Sequence, residues 1–377
     1  QAFSHTVPTG FNKINTANLA TPAILDGTAN FQPTLYTGNG STRNIDQTEN
    51  STFQPDFVWL KNRSQADSHM LFDAARGVQE VLNSNDGVAE ATDSNSLTSF
   101  DSDGFGLGTG AGGYNDDTEN FVAWQWKAGT GAGSSNEDGS INTTTTTVNT
   151  TAGISISTYT GTGANATVGH GLGAVPQMVI VFNRESSYNR RVYHAGMGLS
   201  GTGSATPATS WIALDLALAV NTSEAATWNS TAPTSTVFSV GTDGGVNQST
   251  KELVAYCFAD VEGYSKFGGY VGNGVVDGPF IYTGFKPAWV IIRLLSGGAW
   301  CIQDSTRDPY NVMDLRLQAN LAAAETTGTN NYIDFLSNGF KPRTSSGNTN
   351  ANGYTHIYAA FAEYPFGGAG ATPSTTF

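Results

Sequence analysis

Apolar positions along this chain come in short bursts separated by glycine, proline, asparagine and threonine. Three bursts follow closely on a proline: Phe57-Val-Trp-Leu60 after Pro55, Met178-Val-Ile-Val181 after Pro176, and Trp289-Val-Ile-Ile292 after Pro287. Proline cannot donate to a β-ladder, so it starts a strand at its first residue. The runs after Pro176 and Pro287 do not alternate apolar with polar, which predicts strands covered on both faces. Helical periodicity is weak. Ile212–Val220 alternates too well for a helix, and only Val312–Glu325 is expected to hold one or two helical turns. The pattern predicts an all-β fold with several short strands per unit.

Two further landmarks recur with the proline-led run, always in the same order. A strand enters a glycine turn at Tyr36-Thr-Gly38-Asn-Gly40, Tyr159-Thr-Gly161-Thr-Gly163 and Tyr270-Val-Gly272-Asn-Gly274. An asparagine is followed eleven residues later by an aromatic that closes a strand: Asn115 to Trp126, Asn247 to Phe258, Asn350 to Phe361. Between them lies a Gly-Phe or Val-Phe step at Phe105, Phe238 and Phe340. Convergent β patterning would produce alternation but not one fixed spacing three times. The chain is read as three tandem β-sandwich-like modules from internal triplication. The expected boundaries are 1–30 as a connector, 31–127 as copy 1, 128–152 as a Gly/Ser/Thr-rich linker or loosely held strand, 153–259 as copy 2, 260–366 as copy 3, and 367–377 as a tail.

Composition narrows the function. Of 377 residues, 13% are charged and 38% apolar, and 20 Phe, 14 Tyr and 7 Trp provide bulk for several cores. The net charge of −14 argues against nucleic acid and against an anionic membrane surface. No apolar run approaches the ~18–20 residues of a membrane-spanning helix. Cys257 and Cys301 lie in different modules and read as buried small hydrophobes.

Candidate chemistry is sparse. His5, His69, His170, His194 and His356 occupy non-equivalent places and form no metal-binding spacing. Asp73 and Arg76 in copy 1 match Asp304 and Arg307 in copy 3, while copy 2 has His194 and Met197 there. A carboxylate three residues from a guanidinium most simply forms a local ion pair at a turn. Asp101-Ser-Asp103-Gly104 resembles half a calcium loop, and Asp116 belongs to a second acidic stretch, so Asp101, Asp103 and Asp116 are the weak calcium candidates. Turns held by Asx hydrogen bonds explain them more simply. Trp228 and Tyr310 are candidate surface contacts, with packing inside their own modules as the alternative. No catalytic residue, cofactor or firm metal site is expected, and a scaffold without a repeated polar constellation points away from an enzyme.

Several segments resemble a repeat found in virion proteins of marine tailed phages. They include Phe53-Gln-Pro-Asp-Phe-Val-Trp-Leu-Lys-Asn-Arg-Ser64, Leu97-Thr-Ser-Phe-Asp-Ser-Asp-Gly-Phe105, Val254–Gly268, Asp277–Phe285, Arg307–Asn311 and Ala360–Phe366. The opening stretch through Leu19 resembles the exit of a SPRY-type, concanavalin-like sandwich, which implies that a further part precedes Gln1. The resemblance implies a structural protein of the virion surface, a tail fibre, head fibre or capsid decoration, outside the cell. Its implied partners are other virion proteins and a host-surface glycan or protein, in a homo-oligomer with a trimer as the first guess. Two alternatives stand beside it: a self-assembling extracellular filament or surface layer, and a tailspike that degrades polysaccharide.

Overall fold

The computed structural model describes residues 16–110, 112–328, 330–368 and 370. In the first third, β1 (Phe31–Thr37), β2 (Arg43–Asp46), β3 (Phe57–Asn62), β4 (Met70–Asp73), β5 (Gly77–Asn83), β6 (Ala91–Thr92), β7 (Leu97–Asp101), β8 (Gly104–Leu107) and β9 (Asn120–Trp126) form sheets ordered β1-β9-β3-β4-β5-β6 and β2-β8-β7. In the second, β10 (Thr145–Asn149), β11 (Ile154–Thr160), β12 (Ala166–Gly169), β13 (Met178–Asn183), β14 (Arg191–His194), β15 (Ile212–Ala213), β16 (Val237–Val240) and β17 (Glu252–Phe258) form β10-β11-β17-β13-β14-β15 and β12-β16. In the third, β18 (Ser265–Val271), β19 (Ile281–Tyr282), β20 (Phe285–Leu294), β21 (Trp300–Asp304), β22 (Leu317–Gln318), β23 (Ile333–Leu336), β24 (Gly339–Pro342) and β25 (Thr355–Pro365) form β18-β25-β20-β21-β22 and β19-β24-β23. Three one-turn helices, α1 (Ala225–Trp228), α2 (Gly244–Asn247) and α3 (Gly347–Asn350), and four short 3-10 turns complete the described elements. The fold is all-β.

One strand order recurs in the large sheets. The opening strand lies beside the closing strand, which lies beside the proline-led strand and then the strand after it: β1-β9-β3-β4, β11-β17-β13-β14 and β18-β25-β20-β21. The closing aromatics Trp126, Phe258 and Phe361 sit opposite Phe31, Ile154 and Ser265.

The recurring tyrosine and asparagine form the same latch three times. The hydroxyls of Tyr36, Tyr159 and Tyr270 donate to the carbonyls of Tyr114, Val246 and Thr349, at 2.6, 2.6 and 2.5 Å. Each of those carbonyls belongs to the residue just before Asn115, Asn247 or Asn350. The three asparagines are fully buried, and each side-chain oxygen accepts from a backbone N–H in the glycine turn, from Asn39, Thr162 and Asn273. The first glycine of each turn is required by contact. A Cβ on Gly38, Gly161 or Gly272 would lie 2.1, 2.2 or 2.3 Å from a backbone oxygen of Asp116, Gln248 or Ala351. The fixed spacing is thus the length of chain between this latch and the closing aromatic, which ends β9 and β17 but lies inside β25.

The large sheets are covered on both faces, as their non-alternating runs require. In β13, Val179 and Val181 face a core with Val168, Phe238 and Val240 of the small sheet. Met178, Ile180 and Phe182 face the other way, into a cluster that collects side chains from all three modules. There Trp126 and Phe258 approach Phe361 with ring centroids 5.6 and 6.2 Å away, and Phe57 reaches Tyr256 at 4.8 Å. The three large sheets therefore close around one shared aromatic core, and the modules are not independent beads. Each large buried side chain contributes about 1.5–3 kcal/mol. An apolar gap of about 30 Å³ remains at the centre, lined from all three modules.

Some expectations change. Val312–Glu325 forms no helix; Met313, Arg316 and Leu317 are spent in β-bridges and β22 instead. The stretch 128–152 is no free linker, because β10 pairs along β11 as an edge strand of the second module. Ile212 and Ala213 form β15. The connector is described from Thr16 and holds only short turns at Thr16–Asn18 and Gly27–Ala29. His5 and most of 367–377 lie outside the described residues.

Candidate functional site

Polar side chains concentrate at the seams between modules. In the first seam, Arg76 donates from Nε to Asp73 at 2.5 Å, from Nη1 to Glu90 at 2.7 Å and from Nη2 to the Leu71 carbonyl at 2.8 Å. Glu90 in turn holds Arg184 of the second module by a two-pronged contact, 2.6 Å at its shortest. The seam between modules three and one repeats this. Arg307 donates to Asp304 at 2.5 Å, to Glu325 at 2.7 Å and to the Ile302 carbonyl at 3.1 Å, and Glu325 holds Arg63 of the first module at 2.7 Å. Burial disfavours the charge on Arg76, but Asp73, Tyr256 and Glu90 outweigh it and raise its pKa. Burial would raise Glu90, yet the hydrogen bond and charge of Arg184 and Arg76 hold it below the usual carboxylate range. Glu325 is held down in the same way by Arg63 and Arg307.

The third seam keeps the geometry with different chemistry. His194 stands where the aspartates stand, and its Nε2 lies 3.1 Å from the Tyr358 carbonyl of the third module. One backbone bond marks all three seams: Glu90 N to Arg184 O at 2.7 Å, Glu325 N to Arg63 O at 2.9 Å, and Val220 N to Leu295 O at 2.8 Å. The seams run head to tail, so the modules close a ring. The Asp–Arg pairs singled out in the sequence are the buried half of its clamps. The other half, Glu90, Arg184, Glu325 and Arg63, was missed. The recurrence of Asn62-Arg63 and Asn183-Arg184 at the ends of β3 and β13 was the signal for it.

The calcium candidates do not converge. Asp101 and Asp103 flank the β7–β8 turn, where Asp101 accepts from Ser99 at 3.2 Å. Asp116 accepts from the Gly112 and Gly113 N–H groups at 3.3 and 2.7 Å and lies instead with Asp67 and Glu119, their carboxylate oxygens within 4.8 Å of one another. The Asn62 amide already bridges Asp67, at 2.6 Å, and Glu119. Beside it the Lys61 ammonium donates to the Asn62 and Gln65 carbonyls, and burial lowers its pKa to about 8 against the pull of Asp67 and Glu119.

The two aromatic candidates separate. Trp228 is 2% exposed, donates to the Ser210 carbonyl at 2.9 Å and stacks edge-on against Tyr193, so it belongs to the second core and not the surface. Tyr310 is 70% exposed and stands at the mouth of a groove of about 520 Å³ between modules one and three. The groove is lined by Phe31, Pro33 and Glu49 from one side and by Lys286, Ser305, Thr306, Pro309, Glu363 and Tyr364 from the other. Buried Lys286 pairs with Glu363 at 3.1 Å. Partial desolvation, with the charges of Glu363 and Asp26, raises Glu49 above the usual carboxylate range. The composition of neither wall announces the groove in sequence, because its two sides lie hundreds of residues apart.

Among the described residues no helix is long and apolar enough to cross a membrane. A search of the curated proteins finds no match to the sequence. A family model described as "Domain of unknown function (DUF7483)" matches residues 26–365, which takes in all three modules. The chain belongs to the DUF7483 family.

Proposed function

We propose that this chain is a structural protein of a phage particle, a fibre or capsid-decoration component that carries attachment to a host-surface glycan. The three modules are read as an internal triplication. One observation carries the proposal: the charged constellations at the seams are used to close the ring, which leaves a scaffold whose outer loops differ among the three modules. The phage setting rests on the sequence resemblance. Other virion proteins would hold the chain on the particle, with a homotrimer as the expected assembly. Gold-labelled antibody against the chain, applied to purified particles of a phage that encodes it, tests the reading. Label on tails, vertices or capsid faces supports it, and particles without label overturn it.

A second reading, cleavage of a surface polysaccharide, is favoured by one feature. Glu49, with a raised pKa, and Glu363, which pairs with Lys286, line the same groove. Paired carboxylates about 5–10 Å apart are what glycoside hydrolysis needs. Incubation with host envelope polysaccharide followed by size analysis decides it, since shortened chains are expected only from an enzyme.

A further inference from the structure

The three seams are equivalent in backbone but not in what fills their outer mouths. At the seam of modules two and one, β10 lies along the free edge of β11, with Thr147 opposite Ile156. From there Thr145 Oγ1 reaches the Ala75 carbonyl at 3.4 Å and Thr147 Oγ1 the Ala128 carbonyl at 3.3 Å. At the seam of modules three and two the chain fills the mouth itself. Gly196 packs so closely that a Cβ there would lie 2.6 Å from the Gly268 oxygen. At the seam of modules one and three, β1 is the outermost strand of its sheet, and among the described residues no strand pairs with it as β10 pairs with β11. The positions that β10 covers, Ile154, Ile156 and Ala75, become Phe31, Pro33 and Thr306, and all three line the groove of about 520 Å³.

The chemistry of the groove selects its ligand. Pro33 stands where Ile156 pairs with β10 and has no N–H, so a continuous added strand is interrupted there. The size is in the range of small-molecule sites. Pro33, Pro309 and the exposed Tyr310 give apolar faces suited to the C–H face of a sugar ring. Glu49, Glu363, Lys286, Ser305 and Thr306 give hydroxyl-binding acceptors and donors. The carboxylates of Glu49, Glu363 and nearby Asp26 outnumber the one ammonium of Lys286, which disfavours sulfated or uronic sugars.

We infer that the groove between the first and third modules is a binding site for an uncharged saccharide, with Tyr310 as its stacking platform and Glu49 and Lys286 as hydroxyl partners. This rests on the attachment reading for its biology but not for its chemistry. The test uses the full chain and saturation-transfer NMR with neutral di- to tetrasaccharides of glucose, galactose, mannose and N-acetylglucosamine, with chondroitin sulfate fragments as the acidic comparison. Transfer to at least one neutral oligosaccharide is expected, weakened at least tenfold in Tyr310→Ala and in Glu49→Gln. Tyr282→Ala, which removes another exposed tyrosine outside this groove, leaves it unchanged. Absence of binding across the neutral panel, preference for the sulfated fragments, or undiminished binding by Tyr310→Ala each overturns the inference. Sugar binding by a chain absent from virions sinks the attachment reading alone. Adsorption to host cells undiminished in Tyr310→Ala leaves attachment standing without this groove.

Discussion

The Tyr256 hydroxyl of the second module donates to the Asp73 carboxylate of the first at 2.7 Å, inside a fully buried seam. Its counterpart is the Trp124 indole N–H, which donates to Asp304 at 2.9 Å between modules one and three. Both donors come from closing strands and both acceptors from the strand after the proline-led one. The aspartates are therefore shared: each binds its own module's arginine and the neighbouring module's aromatic. The clamp and the aromatic core form one cooperative unit.

Removing a clamp arginine should be severe. Arg76→Met leaves Asp73 buried without its cation and removes one of the two that Glu90 holds, and Arg307→Met does the same to Asp304 and Glu325. Breaking a buried pair from one side costs about 3–5 kcal/mol. Urea unfolding should show that loss for each variant. Lys251→Ala, which breaks the exposed pair with Glu185, should change stability by less than about 1 kcal/mol. Equal effects at buried and exposed pairs would refute the clamp.

The latch predicts a graded series. Tyr36→Phe, Tyr159→Phe and Tyr270→Phe each delete one hydrogen bond to a buried carbonyl and should cost about 1 kcal/mol. Asn115→Ala, Asn247→Ala and Asn350→Ala each strand several backbone partners, at about 1–3 kcal/mol for every group left unpaired. Thermal denaturation of the six variants should rank every asparagine change above every tyrosine change. A reversed order in any module would mean that the latch is not the common device.

These two devices also show where legibility in the sequence ends. The latch is contained within each module, so its parts recur in the same order, and Tyr36, Gly38 and Asn115 were all visible as landmarks. The two-faced burial of Val179 and Met178 was visible because a non-alternating strand has no face left for water. The clamps were half visible. Asp73 and Arg76 are neighbours in sequence, but Arg184 reaches Glu90 only after the ring closes, and closure depends on long-range packing. The groove was the least visible, since Glu49 and Glu363 come together only through that closure. Trp228 went astray for a different reason: its surroundings read as a loop, but α1 turns the indole inward onto Ser210.

Both thiols should be silent in the folded chain. Cys257 and Cys301 are free and buried, and burial raises both pKa values, Cys301 to about 11. Thiolate is the reactive form, so neither should react with a disulfide reagent such as dithiobisnitrobenzoate at pH 8. Denaturation should release two equivalents. One equivalent released rapidly from native protein would show that the core around one of them opens.

The His194 seam should respond to acid in a way the aspartate seams do not. Burial lowers the imidazole pKa to about 4, against the opposing hydrogen bond to the Tyr358 carbonyl. In the unfolded chain the same group titrates near its ordinary value of about 6.5. Between those values the unfolded chain binds a proton that the folded chain does not, so stability falls as pH falls. The contribution is fully present above about pH 6.5 and is lost progressively down to pH 4, by about 3 kcal/mol. Glu90 and Glu325, both depressed, lose their contribution at lower pH, and raised carboxylates such as Asp56 and Asp215 act in the opposite sense. A difference experiment isolates the histidine. His194→Gln keeps an amide that can donate to the Tyr358 carbonyl and accept from Gly196, but it does not titrate. The wild-type stability, measured by urea unfolding, should decline relative to this variant by about 3 kcal/mol between pH 7 and pH 4. A difference that stays flat across that range would show that the imidazole is protonated as readily in the seam as in water.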